Sequence, residues 1–482
     1  MVTAPPYDRM IVLTLALLTA CIWYWLQPII FTADSFEYVN AAKSIAGVDH
    51  SKFAYFRGPA LPLLLFATGV ATLHTFNWFI LLQIALGVAT TIILYERLRK
   101  ISPSVGFLGI IVFISAFVGF VHSKAIMTEE IYLFAWCLCI DGALGYISAP
   151  SRMRLAQITI ALLILTMTRA QGGFIAFVVL PFLLFCKPNR AAEIVIAGFI
   201  IFLVPFTYMQ LHAAKTTLIE KQTVADVSAL GLTNSTGKTL FVSVYWNAFR
   251  HMHLNLVHPE NGPASRKMFA ELHAYFSNPL NITSKADDPF IGKFVGLPNS
   301  LLGAIEFHPE DGYWWAIWNA MDERLGAGAS DALLMKVAIE AILAYPTKIA
   351  VTYARNFFAA FVNNESVYVT AYPRLNSEKI GTSLSKELET SGDSTKYYSL
   401  ANFLNLYFST MRLILLLCVI LLSKKLFFSQ WRMQWGFCVL IILYNQIMVA
   451  MSGFIENRYT FYIFPLLIIL ATMGLSKNKT KN

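Results

Sequence analysis

"MIVLTLALLTACIWYWLQPII", Met10 to Ile30, runs directly into "FTADSFEYVNAAKSIAG", Phe31 to Gly47. The first stretch has no charge over about 20 residues, the length a helix needs to cross a bilayer. It lacks a small-residue cleavage site at its end, so it reads as a retained first span rather than a removed signal peptide. The second stretch places Asp34 and Glu37 at the mouth of that span, where a chain leaving a bilayer needs no acid.

The rest of the chain has the same character. Of 482 residues, 57% are hydrophobic and 13% charged, with a mean hydropathy of +0.58. Soluble domains carry about a quarter charged residues, so the composition is that of an integral membrane protein. Lys and Arg number 37 against 28 acids. In such a protein a basic excess belongs to cytoplasmic loops and gives no reason to expect a nucleic-acid partner. The cysteines, Cys21, Cys137, Cys139, Cys186, Cys418 and Cys438, lie in or beside apolar runs. They read as packing residues, with neither a disulfide framework nor a metal site.

Further spans read at 77–96, 103–121, 131–148, 155–168, 173–186, 192–209, 403–422, 435–451 and 459–475. With the first they make about ten transmembrane helices. Both termini are then cytoplasmic, and "RLRK" (97–100), "SRMR" (151–154), "KPNR" (187–190), "SKK" (423–425) and "KNKTK" (477–481) all fall inside. "GPALPLLLFATGVATLH" (58–74) cannot cross without moving "RLRK" outside, so it reads as an interfacial or re-entrant helix started by Pro59 and Pro62. The apolar, charge-punctuated stretch 335–362 reads as a second interfacial helix. The expected fold is an all-α polytopic membrane protein with interfacial helices and a mixed extracytoplasmic domain. Residues 1–209 form a transmembrane catalytic module with an outer loop at 31–76. Residues 210–402 form the extracytoplasmic domain, and 403–482 the last transmembrane helices.

Several polar groups fall on the outer side. On a helix beginning near Ala33, Asp34 and Glu37 share a face and can point into one cavity. Asp34 also reads as an N-cap, and Glu37 as a first-turn acid favoured by the helix dipole. In "YFRGPALP" (55–62) Arg57 is either a bidentate ligand for a lipid phosphate or a snorkelling interfacial arginine. "HSKAIMTEEIY" (122–132) brings His122, Lys124, Glu129 and Glu130 to a short outer turn. "TRAQGG" (168–173) and "ENRYTFYIFP" (456–465) place Arg169, Arg458 and Tyr459 at outer span ends. Cations there run against the positive-inside rule, and Arg57, Lys124, Arg169 and Arg458 together suggest an anion site at the outer leaflet. "GLTNSTGKT" (231–239) is no phosphate loop, having five residues between its glycines where four are required. The histidines of "HMH" (251–253) and His258 lack any metal-binding motif.

In order and sidedness these pieces resemble the type C glycosyltransferases, membrane enzymes that use polyprenyl-phosphate sugars. The family includes the protein O-mannosyltransferases and the lipid A aminoarabinose transferases. The resemblance rests on "ADSFEYVNAAKSIAG", "FRGPALP", "TEEIYLF", "TRAQGG" and "NRYTFYIFPL" across most of the chain. It implies that Asp34 is the first-loop acid acting on the acceptor, with Glu37 a secondary candidate. It also implies that Arg57 holds the donor phosphate, with Glu129, Arg169 and Arg458 as further carry-overs; Lys124 and Tyr459, from their outer position, are read as binding donor or substrate with them. Ser35 follows the acid where the mannosyltransferases carry a second acid. The residue types suit that chemistry. A phosphate leaving group needs cations rather than a second carboxylic acid, so one base and several arginines suffice without a metal or other cofactor.

The expected activity is inverting transfer of a sugar from a polyprenyl-phosphate donor to an extracytoplasmic glycan, lipid or protein. The expected location is a bacterial inner membrane, with the site facing the periplasm and a role in surface polysaccharide modification. Two alternatives stay open: a polyprenyl-diphosphate glycan polymerase or ligase, and a lipid or solute transporter. A transporter needs ionisable groups at mid-membrane depth, where the spans look almost free of charge.

Overall fold

The computed structural model describes residues 7–48, 58–220, 236–252, 255–278, 280–281, 297–307, 313–362, 384, 394–452 and 461–476. Among them the regular structure is helical, and one isolated parallel bridge joins Ile30 to Ala125. Arg57, Arg458 and Tyr459 lie outside the described residues. Two compact units form. The first comprises Met1–Pro205, Val362–Asn445 and Glu456–Asn482, and the second Phe206–Phe361 with Gln446–Ile455.

The first unit begins with α1 (Tyr7–Leu26), α2 (Ala33–Ala46), α3 (Ala60–Ala67) and α4 (Val70–Leu73). It continues through α5 (Asn77–Ile101), α6 (Pro103–Ser115), α7 (Glu129–Ser148), α8 (Arg152–Thr168), α9 (Ala170–Cys186) and the start of α10 (Ala191–Glu220). Among the described residues, six helices are long and apolar enough to cross a membrane: α1, α5, α7, α10, and later α17 (Ser394–Phe427) and α18 (Arg432–Ser452). Three shorter apolar helices accompany them: α6, α9 and α19 (Ile463–Leu475). Bands of bare apolar side chains run along α1 (Met10, Leu17, Trp25), α10 (Val195, Ile196, Phe199) and α17 (Leu406, Leu417, Leu421). Such faces are lipid-facing, because water would oppose them. The chain is a multi-pass membrane protein. By contrast α7 is buried on nearly every side, since Gly142 lets Ile158 of α8 approach to where a β-carbon would stand only 2.9 Å away.

The stretch 58–74 does not cross. It breaks at Gly69 (φ +79°) and His74 (φ +52°) into α3 and α4, of which the longer spans about 12 Å. Leu61, Leu65, Val70 and Ala71 pack instead with Tyr38, Val39 and Ala42 of α2.

One span departs from its sequence reading. The apolar run 103–121 is helical only to Ser115. Phe117 then takes a positive φ of 53°, and 116–128 turns back as buried non-helical chain. A β-carbon on Gly87 would stand 2.0 Å from the carbonyl oxygen of Gly119, so a glycine is required there for the chain to re-enter. The anticipated outer turn is thus interior: His122, Ser123, Lys124, Glu129 and Glu130 are all buried.

At the far end of α7 the basic clusters converge. Asp141 accepts from Arg97 Nε (2.8 Å), Arg154 Nη1 (2.7 Å) and Gln157 Nε2 (3.0 Å). Arg9 pairs with Glu96, and Arg152 and Arg190 both with Glu193. Clusters distant in sequence therefore share one end of this unit, as the positive-inside pattern requires.

In the second unit, α11 (Thr236–Met252), α12 (Pro263–Phe276), α13 (Pro298–Phe307) and α14 (Tyr313–Leu325) share a core with α15 (Ala327–Ala344) and with Ile349 of α16 (Pro346–Val362). Two acids of α15 serve the open N-termini of neighbouring helices. Asp331 Oδ1 accepts from the Lys238 N–H (2.9 Å) at the start of α11. Glu340 accepts from the N–H groups of Ala264 and Ser265 and from the Ser265 hydroxyl, all at 2.8 Å, at the start of α12. The Lys238 ammonium, part of the apparent phosphate loop, is occupied by Asp322 at 2.7 Å.

Partial burial pushes the Glu340 carboxyl up, but these bonds and the nearby Arg266 outweigh it and hold it below the usual range. A depressed carboxylate contributes stability that is present above its unfolded value and lost as pH falls through its folded one. Glu340→Gln should therefore lower the stability of this unit by about 1–2 kcal/mol at neutral pH. The difference from wild type should shrink below about pH 4. Unfolding followed from pH 7 to pH 3 checks both, and a difference independent of pH refutes the cap.

Candidate functional site

The parallel bridge organises one end of the first unit. Ile30 N–H donates to Lys124 O (2.9 Å), and Ile126 N–H donates to Ile30 O (3.0 Å). Gln27 and Gln83 satisfy the same buried backbone, donating to Val121 O (2.8 Å) and Ala125 O (3.0 Å). The segments leading into α2 and α7 are consequently tied together. Asp34 follows Ile30 by four residues, and Glu129 follows Ala125 by four.

Asp34 is not the cap of α2. Thr32 is the N-cap and forms a reciprocal capping box with Ser35, whose hydroxyl accepts from the Thr32 N–H at 2.9 Å. Ser35 therefore has a structural use in the cap. Asp34 occupies the first turn, half-buried, with Glu37 one turn on and also half-buried. An acid at that position gains from the helix dipole.

Glu129 is wholly buried and forms an ion pair with Arg169, the residue that joins α8 to α9. Arg169 Nε also donates to Thr128 Oγ1 (2.7 Å), and its guanidinium lies 5.9 Å from the Tyr132 ring. Gly58, immediately after Arg57, sits on the same corner. A β-carbon there would stand 2.3 Å from Met167 O and 2.5 Å from Thr168 O. Gly58 is therefore held close against the residues that precede Arg169.

Lys124 is placed differently from its sequence reading. Its ammonium donates to Tyr24 O at the end of α1 (3.0 Å) and lies 4.9 Å from the Tyr24 ring. It ties the re-entrant segment to the first span, which is a structural use of the charge. Glu130 is buried and faces the His122 backbone N–H without closing a hydrogen bond to it. His122 is itself buried, its ring 5.3 Å from Phe461.

Sequence reading passed over the aromatic floor. Tyr132 and Trp136 stack at 5.9 Å, and Tyr462 lies 4.7 Å from Tyr132 and 6.0 Å from Trp136. The signal was available: two aromatics four apart, just after a pair of acids. Tyr462 also brings the described end of the "NRYTFYIFP" motif onto this floor. Among the described residues no group of three or more His, Cys, Asp or Glu side chains is arranged to hold a metal ion.

No family model matches the chain, and no curated protein matches it. Among solved structures, the crystal structure of ArnT from Cupriavidus metallidurans bound to undecaprenyl phosphate aligns with 98% of this chain and 78% of that one. The identity is 10% and the TM-score 0.37, and nothing about the chemistry of this site follows from a likeness at that level.

Proposed function

We propose that the chain is an integral membrane glycosyltransferase that moves a sugar from a polyprenyl-phosphate donor to an extracytoplasmic acceptor, with inversion and without a metal. The observation that carries this reading is the Ile30–Ala125 bridge, which ties together the segments leading into α2 and α7. It gathers a half-exposed acid, Asp34, and a buried acid–arginine pair, Glu129 with Arg169, at one end of the membrane unit. The two acids then have different work. Glu129 is wholly buried against Arg169, whereas the half-exposed Asp34 is proposed as the acid that meets the acceptor.

In the proposed step Asp34 takes the proton of the acceptor hydroxyl as its oxygen bonds to the anomeric carbon. The bond from that carbon to the phosphate oxygen breaks, and polyprenyl phosphate leaves with the electron pair. Arg169, fixed by Glu129 and Thr128, is one cation for the charge developing on the phosphate. Arg57 and Arg458 are proposed as the others, with Tyr459 beside them. Glu37 remains the secondary acid. Lys124 positions the segment that carries Glu129. The acceptor is a surface polysaccharide, lipid or protein, and the location a bacterial inner membrane with the site on the periplasmic side. The test is turnover of purified protein with a panel of polyprenyl-phosphate sugars, comparing wild type with Asp34→Asn. Turnover with diphosphate-linked donors alone would move the assignment to a glycan polymerase or ligase.

A second reading has one observation in its favour. Arg412 lies near the middle of α17 and is 1% exposed, its guanidinium 5.8 Å from the Phe408 ring. Together with Asp141 it shows that the spans hold more buried charge than their sequence suggested. Intramembrane ionisable residues are a transporter's signature. Proteoliposomes containing a doubly labelled lipid-linked sugar separate the two. A transferase splits the sugar label from the lipid label, while a transporter moves both together. We expect separation.

A further inference from the structure

Asp141 and Glu193 each hold two guanidiniums at the basic end of the first unit, and the two groupings differ. Asp141 is closed: it is largely buried and takes Gln157 as well as Arg97 and Arg154. Glu193, at the start of α10, is open. It holds Arg152 at 3.3 Å and Arg190 at 3.0 Å, and the Arg152 side chain is 88% exposed. Arg152 begins α8 with Met153 and Arg154, a first turn that contains no acid. Cations there add to the positive end of the helix dipole, which favours an anion instead. One carboxylate shared by two arginines beside that helix start leaves the grouping with excess positive charge.

Tyr146 supplies an independent sign of a missing acceptor. It lies in the last turn of α7 and is 0% exposed, and its hydroxyl makes no hydrogen bond among the described residues. That hydroxyl lies within electrostatic range of Arg190 and Glu193. Leaving it unsatisfied is unfavourable, and an acceptor oxygen placed among these groups relieves it.

The surroundings identify the source of that oxygen. Helices α8 and α9 are joined at Arg169 and pack on each other, so the start of α8 and the end of α9 meet here. Beside the arginines both present large bare apolar side chains, Met153 at 84% exposed and Phe185 at 76%. Val195 and Ile196 extend that surface along α10. A free anion in water makes no use of an apolar rim, whereas a lipid carries its phosphate and its acyl chains together.

We propose that Arg152, Arg190 and Tyr146 bind the phosphate of an anionic phospholipid in the leaflet at this end, with Met153 and Phe185 along its acyl chains. The guanidiniums meet phosphate oxygens, and the Tyr146 hydroxyl donates to one of them. The site lies at the opposite end of α7 from Glu129. The proposal is therefore independent of the catalytic reading and survives if the protein transfers no sugar.

The detergent-purified full chain would be titrated with dioctanoyl phosphatidylglycerol and the bound lipid measured by native mass spectrometry. Dioctanoyl phosphatidylcholine and glycerophosphate would serve as competitors. We expect phosphatidylglycerol to bind more tightly than phosphatidylcholine and to resist an equal concentration of glycerophosphate. Arg152→Gln, at an exposed position, should weaken binding about fivefold. Tyr146→Phe, which keeps the buried ring, should weaken it about twofold to tenfold. Lys100→Gln, which removes an exposed cation from the same end, should leave the affinity unchanged. Displacement by glycerophosphate would assign the site to free phosphate and overturn the lipid. Equal binding of the two lipids, indifference to Arg152→Gln and Tyr146→Phe, or an equal loss with Lys100→Gln would each overturn the site.

Discussion

Replacing Asp34 with Asn should lower turnover about 10²–10⁴-fold, the usual worth of a general base, while leaving the fold intact. The two halves of that expectation separate because Thr32 and Ser35 already cap α2. Removing the charge at Asp34 forfeits its interaction with the helix dipole, about 0.3–1 kcal/mol, and leaves the capping box in place. Loss of activity with an unchanged melting temperature identifies a chemical role. Donor binding should be nearly unaffected, since the carboxylate acts on the acceptor, so the loss should appear in kcat rather than in donor KM. Glu37→Gln in parallel should change turnover far less. If Asp34→Asn turns over at the wild-type rate, the base lies elsewhere.

The second large effect is structural first and catalytic through structure. Glu129→Gln leaves Arg169 half-buried beside Tyr132 with a neutral partner in place of a carboxylate. Breaking one side of a buried pair costs about 3–5 kcal/mol. A purified membrane domain of this size should show that as a fall in melting temperature of about 10 °C. Arg169→Gln alone should cost a similar amount. The double variant Glu129→Gln with Arg169→Gln should recover part of the stability and none of the activity, because the arginine is also a proposed phosphate ligand. A double variant no more stable than either single one argues against the ion pair. A double variant with restored turnover removes Arg169 from the site.

The two substitutions probe acids that look alike in the sequence. Both stand four residues beyond the same strand-like pair, and both are first-turn acids. Their difference arises from burial. Asp34 lies on α2, which rests on α3 and α4 and leaves the carboxylate half open, whereas Glu129 lies on the helix that the other spans surround.

The helix boundaries were legible where the hydrophobic run and its stop signal are both local. The spans at 131–148, 155–168 and 435–451 match α7, α8 and α18 to within three residues at each end. Locality failed at 103–121. The run "FVGFV" continues the apolar pattern, but the contact that stops the helix joins Gly119 to Gly87, more than thirty residues away. The same limit hid the partners of the charges. The pairing of Glu129 with Arg169, and of Lys124 with Tyr24 O, spans 40 and 100 residues, and no periodicity encodes either.

The sequence by itself determined that this chain lives in a membrane and where most of its long apolar helices run. Length, apolarity and loop charge act residue by residue, and a bilayer reads them that way. Only the tertiary structure decided which acid is half-buried and which is wholly buried against an arginine. It alone showed that Thr32 rather than Asp34 caps α2, and that the segment from Phe117 to Thr128 is interior. Those outcomes depend on burial and pairing between distant residues, where desolvation sets the energy of a charge and the identity of its neighbour decides its use.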